Sequence, residues 1–128
     1  MDIEDLRRYC LSLPHATEDV QWGDNLLFRI GGKMFAIAAL DRVPTSVSFK
    51  CTPEAFAELV EREGVIPAPY LARNKWVMLE SLDALPRAEL RRLIQDSYRM
   101  VAAKLPKKVR ETLGRNSKQG KPRSGPAR

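Results

Sequence analysis

The stretch that decides the fold is LLFRIGGKMFAIAAL, residues 26–40. Two apolar runs of strand-like composition flank Gly31-Gly32, and consecutive glycines accept the positive φ angles of a two-residue hairpin turn. In the second run, Phe35 and Ile37 are expected on one face of the strand, because side chains alternate across a strand with a period of two. The stretch therefore predicts an antiparallel hairpin with a face to bury.

Outward from this hairpin, the spacing of apolar residues predicts further strands and helices. Helices are expected over residues 2–12, between Thr52 and Gly64, and from Pro86 to Leu105. Strands are expected over residues 18–22, 46–50 and 75–80. The last strand has apolar residues on both sides, which favours a central place in the sheet, while the prolines between 65 and 70 predict an ordered loop. The order of elements predicts an α+β fold in which an antiparallel sheet carries helices on one face.

The basic charge of the chain is concentrated at its C-terminal end. The whole chain has a formal net charge of +6, but residues 104–128 hold nine basic residues against one acidic residue, a net charge of +8. The remaining residues therefore carry a net charge of −2. From Gly114 onward the chain has no hydrophobic period, so we predict a domain over residues 1–113 and a basic disordered tail over 114–128. Any anion-binding surface on the domain must be a local patch.

Residue types able to do covalent or metal chemistry are sparse. Cys10 and Cys51 stand far apart, so two buried, reduced thiols are expected in place of a zinc or redox motif. His15 is the only histidine in the chain and has no flanking motif. A phosphate-binding glycine loop is also lacking. We therefore expect no enzyme activity, no cofactor and no metal site.

The hydrophobicity of the chain predicts no membrane partner. No stretch approaches the roughly 20 apolar residues of a membrane helix. The first residues, Met1 to Asp5, are acidic and do not resemble a secretion signal. We expect a soluble, cytoplasmic protein.

Four short strings in this chain follow the order and spacing of the MmcQ/YjbR family. They are VQWG at 20–23, FRIGGKMFA at 28–36, APYLAR at 68–73 and KWV at 75–77. The resemblance extends from the first helix to about residue 103 and leaves out the tail. It implies a frataxin-like (CyaY-like) two-layer α+β sandwich, and it implies DNA binding through a double-wing arrangement of the sheet.

If the sheet binds DNA, its affinity must come from cationic side chains that neutralise phosphates. The candidates on hairpins, strand ends and loops are Arg29, Lys33, Arg42, Lys50, Arg73 and Lys75. Lys33, at the glycine turn, is the strongest candidate. The alternative for each residue is that it only solvates the outer face of the sheet. The tail either adds electrostatic affinity or acts as a solubilising extension.

The aromatic residues Trp22, Tyr70 and Trp76 are candidates for stacking on bases or for lining a pocket. Core packing is the alternative, and it is favoured for Trp76 because Val77 and Met78 follow it. The runner-up function is a protein or small-ligand interaction module whose pocket lies near these three aromatics. The sequence leaves the target, the type of nucleic acid and the oligomeric state open.

Overall fold

The computed structural model describes residues 1–119 of the chain. Within this range the strands are β1 (Thr17–Gln21), β2 (Asn25–Ile30), β3 (Lys33–Ala39), β4 (Ser46–Lys50), β5 (Val65–Pro67) and β6 (Trp76–Leu79). The helices are α1 (Ile3–Ser12), α2 (Pro53–Leu59), α3 (Arg87–Ala103) and α4 (Lys107–Gln119), with a short 3-10 helix at Ala72–Asn74. The predicted α+β fold is confirmed.

The strands of the described range form one open sheet in the order β1-β2-β3-β4-β6-β5, and every neighbouring pair is antiparallel. The chain leaves β4, forms α2, pairs β5 at the edge and then inserts β6 between β4 and β5. The predicted central place of the strand near residues 75–80 is therefore confirmed. Both of its faces are buried, as its sequence indicated.

Side chains at the helix starts form the expected caps. Asp2 accepts a hydrogen bond from the Asp5 backbone N–H at 2.9 Å, which begins α1. The Thr52 hydroxyl accepts one from the Ala55 N–H at 3.1 Å, and Pro53 occupies the first turn of α2. Such caps satisfy backbone N–H groups that have no partner inside the helix.

The core lies between the sheet and the helices, which pack on one face. Leu6 of α1 and Leu90 and Ile94 of α3 are fully buried in it. They meet the phenylalanines of three strands, Phe28, Phe35 and Phe49, which are also fully buried. Burial of each such side chain contributes roughly 1.5–3 kcal/mol. The other face of the sheet, which we call the open face, carries a second and smaller apolar cluster.

A β-bulge in β3 decides which side chains reach the open face. Phe28 pairs with Ala36, but the next residue of β2 pairs with Met34, so Phe35 is an extra residue without a partner on β2. Phe35 and Ala36 both face the helices as a result, while Met34 and Ile37 join the cluster on the open face. The prediction that Phe35 and Ile37 share a face is wrong, because the bulge breaks the period of two.

Two boundaries differ from the prediction. Residues 65–67 form β5 where a loop was expected, and Pro67 is tolerated there because β5 is an edge strand. Helix α4 continues through the predicted tail boundary at residue 114, so residues 114–119 are helical. A single glycine within a helix costs only about 1 kcal/mol. The rest of the predicted tail, residues 120–128, lies outside the described residues.

Candidate functional site

The open face of the sheet holds a groove with a volume of about 560 Å³. Its floor is formed by side chains of β3, β4 and β6, namely Met34, Ile37, Ala39, Ser46, Ser48 and Met78. Apart from the bulge at Phe35, these residues alternate with those that face the helices, so the strand period together with the bulge brings them to one face. The groove is therefore a product of the sheet and its bulge.

Two exposed aromatic side chains line the groove. Trp22 comes from the turn between β1 and β2, and Tyr70 comes from the loop after β5. Because β1 and β5 are the two edge strands, the two rings approach the groove from opposite edges of the sheet. Trp22 is 67% exposed and Tyr70 is fully exposed. Their φ angles of 53° and 66° lie in the left-handed region, which bulky residues rarely adopt. The structure thus brings two of the three predicted aromatics to one groove.

Trp76 lies elsewhere. Only 6% of it is exposed, and it packs with Ala68 and Met78 in the smaller apolar cluster. It lines a second cavity and is not part of the groove wall. A tryptophan in this position is packed chiefly as a core residue.

The groove floor contains two buried hydroxyl groups, those of Ser46 and Ser48. Only 2% and 7% of these residues are exposed. Among the described residues, neither hydroxyl has a hydrogen-bond partner within the protein. Ser46 and Ser48 alternate along β4 with Val47 and Phe49, which face the core, and their burial could not be predicted because it depends on the loops around the groove.

A guanidinium group and a carboxylate stand in the wall of the groove. Arg42 and Asp41 both line it. The Nη1 atom of Arg42 lies 3.6 Å from the Met78 sulfur. The groove therefore offers an apolar floor, aromatic walls and several polar groups, which is the usual composition of a ligand site.

A second cavity, of about 420 Å³, gathers three lysines beside the hairpin turn. We call it the lysine pocket, and its lysines are Lys33, Lys50 and Lys104. Among the residues that the structure describes, Asn74 also lines this pocket and no acidic side chain does. Lys104 was missed as a site residue because its sequence position, near the basic end of the chain, gives no sign that α3 ends beside the hairpin. Met34 lines both cavities, so they are neighbours, and the lysine pocket lies where the open face meets the end of α3, which contributes Met100, Val101 and Lys104.

The remaining predicted cationic residues do not join the lysine pocket. Arg29 is paired with Asp19 at 2.9 Å and donates to the Gly32 carbonyl, so its charge is largely neutralised. The Lys75 ammonium group lies 5.1 Å from the centre of the Phe56 ring, on the side of the helices. Arg73 is exposed in the 3-10 helix. The six candidates therefore do not form one continuous positive strip.

Reactive groups are few and buried. Burial raises the pKa of the Cys10 thiol to about 12 and that of the Cys51 thiol to about 11. Both cysteines are free. Within residues 1–119, no three His, Cys, Asp or Glu side chains are close enough together to hold a metal ion. No helix in that range is long and apolar enough to cross a bilayer.

The fold and the groove together define a small α+β protein whose open antiparallel sheet carries a groove on the face away from the helices. The family model described as YjbR matches residues 11–100. The chain belongs to the YjbR family, and the family predicted from its sequence strings is confirmed.

Two solved structures show the same fold. The Deinococcus radiodurans protein DR2400, described with a DUF419 domain, is 30% identical, with a TM-score of 0.80 and 88% of each chain covered. A protein from Pseudomonas syringae is 21% identical, with a TM-score of 0.66, and the match covers 78% of this chain and 98% of that one. No curated protein matches the chain.

Proposed function

We propose that this protein binds nucleic acid, DNA in the first instance, through the open face of its sheet and catalyses no reaction. The observation that carries the proposal is that two cavities lie side by side and share the Met34 side chain in their walls. One cavity has exposed aromatic walls, formed by Trp22 and Tyr70, and the other has three lysines. Aromatic rings stack on bases and lysines neutralise phosphates, so a nucleic acid matches both halves of the surface.

The charge of the lysine pocket sets the expected salt dependence. If Lys33, Lys50 and Lys104 each neutralise one phosphate, the logarithm of the association constant should fall with the logarithm of salt concentration with a slope of about −2 to −3. A steeper slope would indicate a further contribution from the basic residues of the tail. We propose that the tail adds such affinity without sequence preference.

The test is binding of a short labelled DNA to the full chain at two salt concentrations, followed by fluorescence anisotropy. Lys33→Glu should weaken binding and make the salt slope shallower by about one unit or more. Arg92→Glu is the matched control, because Arg92 is exposed on α3 and lies outside both cavities. Equal affinities for the two variants would refute the proposed surface.

A second candidate is a protein or small-ligand module that uses the groove near Trp22 and Tyr70. The volume of about 560 Å³ favours it, because small-molecule pockets occupy roughly 300–1,000 Å³. The two candidates differ in their dependence on Lys33. Binding of a small ligand that changes tryptophan emission, is unaffected by Lys33→Glu and is not displaced by DNA would favour the second candidate.

We also propose that the protein acts in the cytoplasm. Support comes from its two buried, free thiols. Cysteines commonly stay reduced in that compartment.

A further inference from the structure

The floor of the groove is shielded from solvent by the residues around it. Ser46 and Ser48 form part of this floor and are only 2% and 7% exposed. A base inside a double helix is covered on both faces by its neighbours, and its hydrogen-bonding edge is occupied by its partner. A base that has been splayed out of a single strand presents its faces and its edge to a protein. Access to the floor therefore selects for an unpaired base.

The hydroxyl groups on the floor can be satisfied by a ligand or by water. Neither the Ser46 hydroxyl nor the Ser48 hydroxyl has a hydrogen-bond partner among the described residues, although the backbones of both are paired in the sheet. Burial of a polar group without a partner is unfavourable, so these hydroxyls favour occupation of the groove by something polar. A hydroxyl both donates and accepts, which allows it to meet the donors or the acceptors of a base edge.

The aromatic walls supply stacking surfaces. Trp22 and Tyr70 expose most of their rings to solvent, although both are held on left-handed backbone. Strained backbone of this kind persists only where the surrounding structure imposes it, and it is concentrated at functional sites. In the Trp22 turn, Asn25 donates a hydrogen bond to the Trp22 carbonyl at 2.8 Å and so holds the turn in place.

We infer that the groove binds one unpaired nucleobase, stacked on Tyr70 and hydrogen-bonded by Ser46 and Ser48, with Trp22 as a further aromatic wall, so that single-stranded nucleic acid is preferred over duplex. The inference rests on the proposed function and adds the class of nucleic acid to it. The phosphates flanking that base run toward the lysine pocket, which adjoins the groove at Met34.

The experiment compares a short labelled oligothymidylate, alone or annealed to its complement, in binding to the full chain. The single strand should bind about tenfold more tightly than the duplex, since stacking on an aromatic side chain is worth about that factor or more. Tyr70→Ala should remove most of this preference, and Tyr70→Phe should retain it because the ring remains. Tyr70 is fully exposed, so neither change should disturb folding.

A second pair of variants tests the floor of the groove. Ser46→Ala should weaken binding of the single strand without lowering the stability of the free protein, because the hydroxyl it removes has no partner there. Ser12→Ala, on the exposed end of α1, is the matched control and should bind normally. Equal binding of single strand and duplex, with no effect of Tyr70→Ala, would overturn the inference and leave the proposed function standing. Failure of both nucleic acids to bind would overturn the proposed function, and this inference with it.

Discussion

Ser97 joins helix α3 to the sheet at the bulge, and replacing it with alanine should destabilise the protein strongly. Its hydroxyl donates to the Phe35 carbonyl at 2.7 Å and accepts from the Lys50 N–H at 3.0 Å. Phe35 is the bulge residue, and it has no partner in the pairing of β3 with β2 or with β4. One fully buried hydroxyl therefore bridges β3 and β4 where their ladder ends.

The size of the effect follows from the two groups that Ser97→Ala would leave behind. A buried polar group that loses its partner costs about 1–3 kcal/mol. The Phe35 carbonyl bond is buried and the Lys50 N–H bond is partly buried, so we expect a loss of about 2–4 kcal/mol in the free energy of unfolding. For a domain of this size, that loss lowers the melting temperature by roughly 10 °C.

Urea denaturation followed by far-UV circular dichroism measures this loss directly, and the denaturant slope should stay unchanged because the fold does. Ser12→Ala is the control, since its hydroxyl donates to the Tyr9 carbonyl at an exposed site. We expect the control to lie within about 0.5 kcal/mol of the parent protein. If Ser97→Ala also lies within that margin, the bridging role assigned to this hydroxyl is wrong.

Two further predictions concern the hairpin turn and the thiols. A Cβ added at Gly31 would lie 2.6 Å from a methyl carbon of Leu105, whereas one at Gly32 meets nothing within 4 Å, and both glycines have positive φ. Gly31→Ala should therefore lower the free energy of unfolding by about 1 kcal/mol more than Gly32→Ala, and equal urea midpoints would contradict this. Cys10 and Cys51 should be inert to Ellman's reagent at about pH 8 until the protein is unfolded, because their thiols are buried and their pKa values are raised. An unfolded thiol ionises near pH 8.5, whereas the folded thiols stay protonated up to about pH 11 and 12. The contribution of the thiols to the free energy of unfolding should therefore be complete below pH 8.5 and should decline as the pH rises toward 11 and 12. Rapid reaction of either thiol in the native protein, or stability that stays constant up to about pH 10.5, would refute the assigned burial.

Local patterns predicted the elements of the fold because those elements have local causes. The Gly31-Gly32 turn and the alternation in residues 46–50 each specify a structure within a few residues of themselves. The bulge at Phe35 has no comparable local signal. It is compensated by Ser97, which lies sixty-two positions away in the sequence. Ser97 lies within the helix predicted from Pro86 to Leu105, but nothing near it in the sequence indicates that its hydroxyl contacts the bulge.

The candidate site was predictable only in part, for a related reason. Trp22 and Tyr70 could be selected as aromatics next to glycine or proline, and Lys33 could be selected from its place at the turn. Their grouping into two adjoining cavities depends on long-range pairing, and so does the arrival of Lys104 beside the hairpin. The folded structure also decides which charges are neutralised by an ion pair, as the charge of Arg29 is by Asp19. Sequence position alone gives no information about such partners.

The open face of the sheet holds groups that are less well satisfied than the ion pairs elsewhere in the protein, and this supports a binding role for that face. The Arg62 guanidinium, for example, is paired with Glu89, whose carboxyl pKa is lowered by the hydrogen bond. The open face combines strained aromatic residues with buried hydroxyls that have no partner among the described residues, and it adjoins a cavity with three lysines at the end of α3. Each of these features costs stability when the protein is alone. Their costs would be offset by one ligand that stacks, accepts hydrogen bonds and carries negative charge, and a single strand of nucleic acid has all three properties.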